Sequence, residues 1–134
     1  NSIPLKGNAF ISVKDRDKDK ILNNAKKLIK FGFSLFATSG TARYLITNGV
    51  KCKKINKVNQ GSPHIVEKLN KKNISLVINT TEGKDSISDS FSLRRTSLVN
   101  KIPYFTTIAA ANACLESIEA LKKYPIKVRA LQDS

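Results

Sequence analysis

Short β-rich apolar runs and stretches of helical periodicity alternate along this chain, and that alternation limits its fold more than any other feature. The runs are Ala9–Val13, Ser34–Ala37, Lys53–Val58, Ser75–Asn79 and Tyr104–Thr106. Between them, apolar residues recur at helical spacing, first as Ile21, Leu22, Ala25, Leu28 and Ile29, with Gly32 placed to end that helix. Further helices are expected over Ala42–Asn48, His64–Lys71, Asp85–Asn100 and Ala109–Lys122. Strands alternating with helices imply right-handed crossovers and a parallel sheet covered on both faces. The expected fold is α/β, a three-layer α/β/α sandwich of about five parallel strands.

A chain of 134 residues is one domain's worth and buries a single core. Its first residue is not Met, and it contains none; an excised piece of a longer protein is expected. Residues 1–7 read as a linker remnant, 8–123 as the domain and 124–134 as a C-terminal extension, with room for one added strand. No apolar stretch reaches membrane-spanning length and no signal peptide opens the chain. Cys52, Cys114 and the single His64 make no metal-ligand spacing, so no metal site is expected; free thiols in a cytoplasmic protein are. The net charge of +14 raises a nucleic-acid reading, but Lys outnumbers Arg 19 to 5 and is scattered, and Asn reaches 12. That is the composition of an AT-rich genome, and the stacking aromatics of an RNA platform are missing. Neither nucleic acid nor membrane is expected as a partner. The positive field still favours an anionic metabolite.

In an open parallel sheet, ligands bind beyond the carboxyl ends of the strands. Thr38-Ser39-Gly40-Thr41 follows a strand and opens a helix, where unpaired amides and the helix dipole suit a phosphate. Asn79-Thr80-Thr81 ends the most apolar strand. Lys57, in the run Lys57–His64, can set a point charge against a phosphate. The same residues also serve as ordinary caps, turns and solvated side chains. His64 follows Pro63 at a helix start, and a capping or packing role is expected rather than that of a base. Glu82 and Asp85 flank a turn without an acid–base geometry, and Arg94-Arg95 read as one helix face. No Walker loop, GxGxxG or catalytic triad spacing is present.

Five segments in order carry a resemblance: SVKDRDK (12–18), GFSLFATSGTA (32–42), NKVNQGSPHI (56–65), LVINTTEG (76–83) and DSFSLRRTSLVNKIPYFTT (89–107). Together they resemble the carboxyl-terminal, methylglyoxal-synthase-like regulatory domain of carbamoyl phosphate synthase large subunits. That family implies a Rossmann-like five-stranded parallel sheet, an allosteric role and no catalytic residue in this domain. It implies a nucleotide effector, UMP or IMP, held by Lys18, Thr38, Thr41, Lys57, Asn79 and Thr81, with Ser39, Gly40 and Thr80 completing the two turns. It also implies ornithine contacts at Tyr104 and Thr106, whose acidic partners lie in other domains. The parent would be a glutamine-dependent, ATP-dependent ligase of arginine and pyrimidine biosynthesis that uses Mg or Mn and K, with a small glutaminase subunit; this domain itself would need no cofactor. Gln60 stands where many relatives are acidic, and Ser39 where others carry His or Gly. The enzyme alternative is a methylglyoxal synthase-type lyase acting on dihydroxyacetone phosphate, whose characteristic loop and catalytic Asp are not seen here.

Overall fold

The computed structural model of the chain describes residues 3–81 and 84–123, with side chains in the second stretch from Ser90 onward. Its strands are β1 (Gly7–Ser12), β2 (Phe33–Ala37), β3 (Lys53–Lys54), β4 (Leu76–Asn79) and β5 (Tyr104–Phe105). Its helices are α1 (Lys18–Lys30), α2 (Ser39–Thr47), α3 (Ile65–Asn70), α4 (Lys84–Val99) and α5 (Ile108–Lys123). Short 3-10 turns cover Asp15–Asp17 and Val58–Gln60. All strand pairs are parallel, and the sheet order is β3-β2-β1-β4-β5. The expected three-layer sandwich of five parallel strands is what forms.

The alternation of side chains along the central strands sorts the core into two layers. Ala9, Ile11 and Val13 join Leu35, Ala37, Leu76 and Ile78 under α1 and α5. There they meet Ile21, Ala25 and Leu28 of α1, and Cys114, Leu115 and Ile118 of α5. Phe10 and Val77 point the other way, onto Ile65 and Leu69 of α3 and Leu93 of α4. Sequence spacing explains both sides: Ile21, Ala25 and Leu28 lie at i, i+4 and i+7, one stripe of a helix. Burying each Leu or Ile fully contributes about 1.5–3 kcal/mol. Gly32 follows α1 at φ 98°, a left-handed conformation that turns the chain into β2 and that only glycine adopts cheaply.

The third strand departs from expectation. A run over Lys53–Val58 was expected to pair, yet only Lys53–Lys54 do. Ile55 still donates its amide to the Ala37 carbonyl at 2.9 Å. Past Ala37 the neighbouring chain has become α2, so no strand remains to pair with. Asn56 bridges to His64 instead, and residues 58–60 coil. Helix α2 in turn begins at Ser39, three residues before the expected Ala42, so the hydroxyl-rich turn is the helix's first turn.

β1 to β3 step outward in one direction, whereas β4 and β5 lie on the other side of β1. The order therefore reverses between β1 and β4, which opens a crevice at their carboxyl ends. No helix among the described residues is long and apolar enough to cross a membrane. Glu82, the Asp85 side chain and the expected 124–134 extension lie outside the described residues.

Candidate functional site

A cavity of about 300 Å³ sits at that switch point. Ser12, Val13 and Lys14 enter it from the end of β1, Thr38 to Thr41 from the end of β2, and Asn79 to Thr81 from the end of β4. Lys18 from the start of α1 and Lys57 from the turn after β3 complete the polar rim. All nine residues singled out in the sequence for the effector (Lys18, Thr38, Ser39, Gly40, Thr41, Lys57, Asn79, Thr80 and Thr81) thus line one space. Phe10, Val58, Ile65 and Leu93 give it an apolar side.

Most of the threonine hydroxyls are already engaged. Thr38 Oγ1 lies 2.9 Å from Ser12 Oγ. Thr41 Oγ1 accepts from the Val13 amide at 3.1 Å and donates to the Val13 carbonyl at 3.5 Å. Thr80 Oγ1 accepts from the Lys14 amide at 3.0 Å. Thr38, Thr41 and Thr80 are all buried, and their hydroxyls tie neighbouring strand ends together. Thr41 Oγ1 both accepts and donates, so at the start of α2 the backbone amides are donors still on offer. Thr38 holds the N-cap position of α2 with an extended backbone but makes no side-chain cap, because its hydroxyl is turned to Ser12. The first α2 amide with a backbone acceptor is that of Ala42, which donates to Thr38 O at 2.7 Å. The amides of Ser39, Gly40 and Thr41 precede it, at the positive end of the helix dipole.

Charge reinforces this. The lining carries the ammonium groups of Lys14, Lys18 and Lys57, and Asp15 is the only carboxylate among the described lining residues. Lys18 and Asp15 form an ion pair. The hydrogen bond from Lys18, followed by its charge, holds the Asp15 carboxyl below its ordinary range. A Cβ placed on Gly40 would come 3.6 Å from Lys18 Nζ, so the ammonium stands over the helix start. Lys57 is held at its turn by its own amide, which donates to Gln60 Oε1 at 2.8 Å.

A second, smaller cavity of about 220 Å³ adjoins the first. It collects the other two predicted contacts, Tyr104 and Thr106, with Phe91 and Arg94, and shares Asn79, Thr81 and Ser90 with the larger one. The Asn79 amide donates to Tyr104 Oη at 2.8 Å and to Ser90 Oγ at 3.0 Å. Burial pushes the Tyr104 phenol above its ordinary value, while the Asn79 bond and Arg94 pull the other way. Arg94 and Arg95 are exposed on α4.

His64 immediately precedes α3, and its amide donates to Glu67 Oε1 at 2.8 Å, so the cap at this helix start is supplied by Glu67. His64 is not among the lining residues of either cavity. Cys52 and Cys114 are free thiols, each with its pKa raised by burial. Sequence reasoning missed Ser12, Lys14 and Ser90. Ser12 and Lys14 carry a readable signal, since they follow the apolar run of β1 and obey the same strand-end rule that drew attention to Thr38 and Asn79.

The fold and this strand-end cavity define a class, and the chain belongs to the MGS-like domain family, which matches residues 20–106. Its similarities to individual proteins are narrower. It is 45% identical over 131 residues to the carbamoyl phosphate synthase large chain of Brucella suis, covering 98% of this chain and 11% of that protein. It is 47% identical over 134 residues to the carbamoyl phosphate synthase large chain, C-terminal section, of Methanopyrus kandleri, covering 99% of this chain and 25% of that protein. The chain thus spans about a tenth to a quarter of the length of these relatives. In structure it resembles methylglyoxal synthase from Elizabethkingia anophelis, with a TM-score of 0.64 at 21% identity over 84% of this chain and 79% of that one. At that identity the likeness concerns the fold.

Proposed function

We propose that this chain is the allosteric regulatory domain of a carbamoyl phosphate synthase large subunit and binds a nucleoside monophosphate, UMP or IMP, in the larger cavity. The observation that carries the reading is the uncapped first turn of α2 facing Lys18 beside Lys57. Three amides and the Lys18 ammonium meet at a space that Lys57 also lines, with an apolar side able to take a base. The phosphate would sit on the Ser39–Thr41 amides, and Lys57 would supply a point charge. The parent would be the ATP-dependent, glutamine-using ligase, with its catalytic domains and small subunit as partners in the cytoplasm. The nucleotide would act by favouring one arrangement of this domain against that body. Its leverage would be its differential affinity, typically about 1–3 kcal/mol.

Ornithine is assigned to the smaller cavity, at Tyr104 and Thr106. Arg94 is the charged group among its described lining residues, and no carboxylate is among them. An amino acid's ammonium would need its anionic partner from the rest of the parent. A lyase reading is weaker: the carboxylate at hand, Asp15, is paired with Lys18 and has a lowered pKa, which makes it a poor base.

Calorimetric titration of UMP and IMP into the chain, and into Lys57→Ala, tests the proposal. At least one nucleotide should bind the parent sequence, and the variant should lose about tenfold, the worth of one charge-assisted contact. Absence of nucleotide binding, or an unchanged Kd in the variant, would overturn it.

A further inference from the structure

Lys18 has a counter-ion of its own at the rim of the larger cavity. It pairs with Asp15, three residues earlier, in the short 3-10 turn that leads from β1 into α1. The two ends of the pair differ in setting: the side chain of Lys18 is 17% exposed and that of Asp15 93%. A Cβ on Gly40 would lie 3.6 Å from Lys18 Nζ and 3.7 Å from Lys18 Cε, so the end of the lysine packs over the first turn of α2. Packing of the lysine stem holds the ammonium there, since a solvent-exposed carboxylate is a weak brace for a long side chain. Lys14, also on the cavity, lies 4.0 Å from Asp17, which is not among the lining residues. Asp15 is thus the resident carboxylate among the described lining residues, and it sits on the ammonium nearest the α2 amides.

We infer that Asp15 is an internal counter-ion that sets the affinity of the nucleotide site: its carboxylate occupies Lys18 in the unliganded protein and gives way to the ligand's phosphate. A phosphate on the Ser39–Thr41 amides brings up to two negative charges to the same ammonium. Carboxylate and phosphate then compete for Lys18 and repel each other. Two like unit charges about 4 Å apart in water shift an equilibrium about sixfold. Because the Asp15 side chain is exposed, it can turn into solvent without uncovering any apolar surface, and Lys18 stays over the helix start for the phosphate. Asp15 therefore weakens binding rather than supporting it, and raises the nucleotide concentration at which the domain fills. This inference rests on the nucleotide reading above.

Its test titrates UMP and IMP by calorimetry into the full chain, Asp15→Asn and Asp19→Asn. Asp19 serves as the control, because it is exposed in the first turn of α1, its loss changes the net charge equally, and it does not line the cavity. Asp15→Asn should bind the nucleotide about two- to tenfold more tightly than the parent chain, and Asp19→Asn should gain less than about twofold. The gain in Asp15→Asn should shrink in about 1 M salt, where charges are screened within about 3 Å. Nucleotide binding by the parent chain with an equal or weaker affinity in Asp15→Asn, an equal gain in both variants, or a gain undiminished by salt overturns this inference alone. No binding by either the parent chain or Asp15→Asn overturns it and the proposed function together. If Asp15→Asn does not fold, Asp15→Ala carries the same comparison.

Discussion

Replacing Gly40 by Ala should make the protein more stable and its anion site worse. Gly40 is the second residue of α2, where its backbone is helical and no left-handed conformation is needed. A Cβ there would meet Lys18 Nζ at 3.6 Å and Lys18 Cε at 3.7 Å, which is ordinary van der Waals contact. Nothing clashes, so the substitution should gain the usual benefit of a restricted unfolded chain, about 0.4–1 kcal/mol. For a domain of this size that raises Tm by about 1–5 °C. The same methyl, however, occupies the gap between the helix start and the ammonium, where a phosphate must touch both. Displacing the phosphate from one or two charge-assisted bonds costs about 1.5–3 kcal/mol, a tenfold or greater loss of nucleotide affinity. Differential scanning calorimetry and isothermal titration on the same preparations read both effects. A lower Tm, or a nucleotide Kd within twofold of the parent's, would refute the reasoning.

Two further outcomes follow from the same geometry. Thr41→Val keeps the shape but removes the hydroxyl that pairs with the Val13 amide and carbonyl in a buried site, so urea denaturation should show a loss of about 1–3 kcal/mol with an unchanged m-value; a midpoint equal to the parent's would contradict it. Glu67 is held below its ordinary value of 4.5, first by the His64 amide and then by the Ser62 hydroxyl. A carboxyl depressed in the folded state contributes stability that is present above its unfolded pKa and lost as pH falls through the folded one. Stability measured between pH 6 and pH 3 should therefore fall less steeply in Glu67→Gln than in the parent chain, and identical slopes would remove Glu67 from the acid response.

Much of the architecture was legible because it follows from periodicity. Ile21, Ala25 and Leu28 had to share a helix face, and Leu76–Asn79, apolar without alternation, had to be a strand covered on both sides. The candidate site was legible for a related reason. Residues at the carboxyl ends of parallel strands converge wherever the strand order reverses, so Thr38 to Thr41 and Asn79 to Thr81 could be paired before any coordinates. Other features lay beyond local pattern. The Lys53–Val58 run has the composition of a strand, but its length is set by where its neighbour β2 stops at Ala37, a fact about another segment. The role of the threonines was likewise decided in three dimensions. A Thr at a helix start reads as a cap or a phosphate donor, whereas Thr38 and Thr41 spend their hydroxyls on Ser12 and Val13, 26 and 28 residues away. The sequence by itself determined which residues gather at the strand ends, because spacing dictates face and order. Only the tertiary structure decided which of their polar atoms stay unpaired, because hydrogen bonds between distant segments consume donors that no local rule can assign.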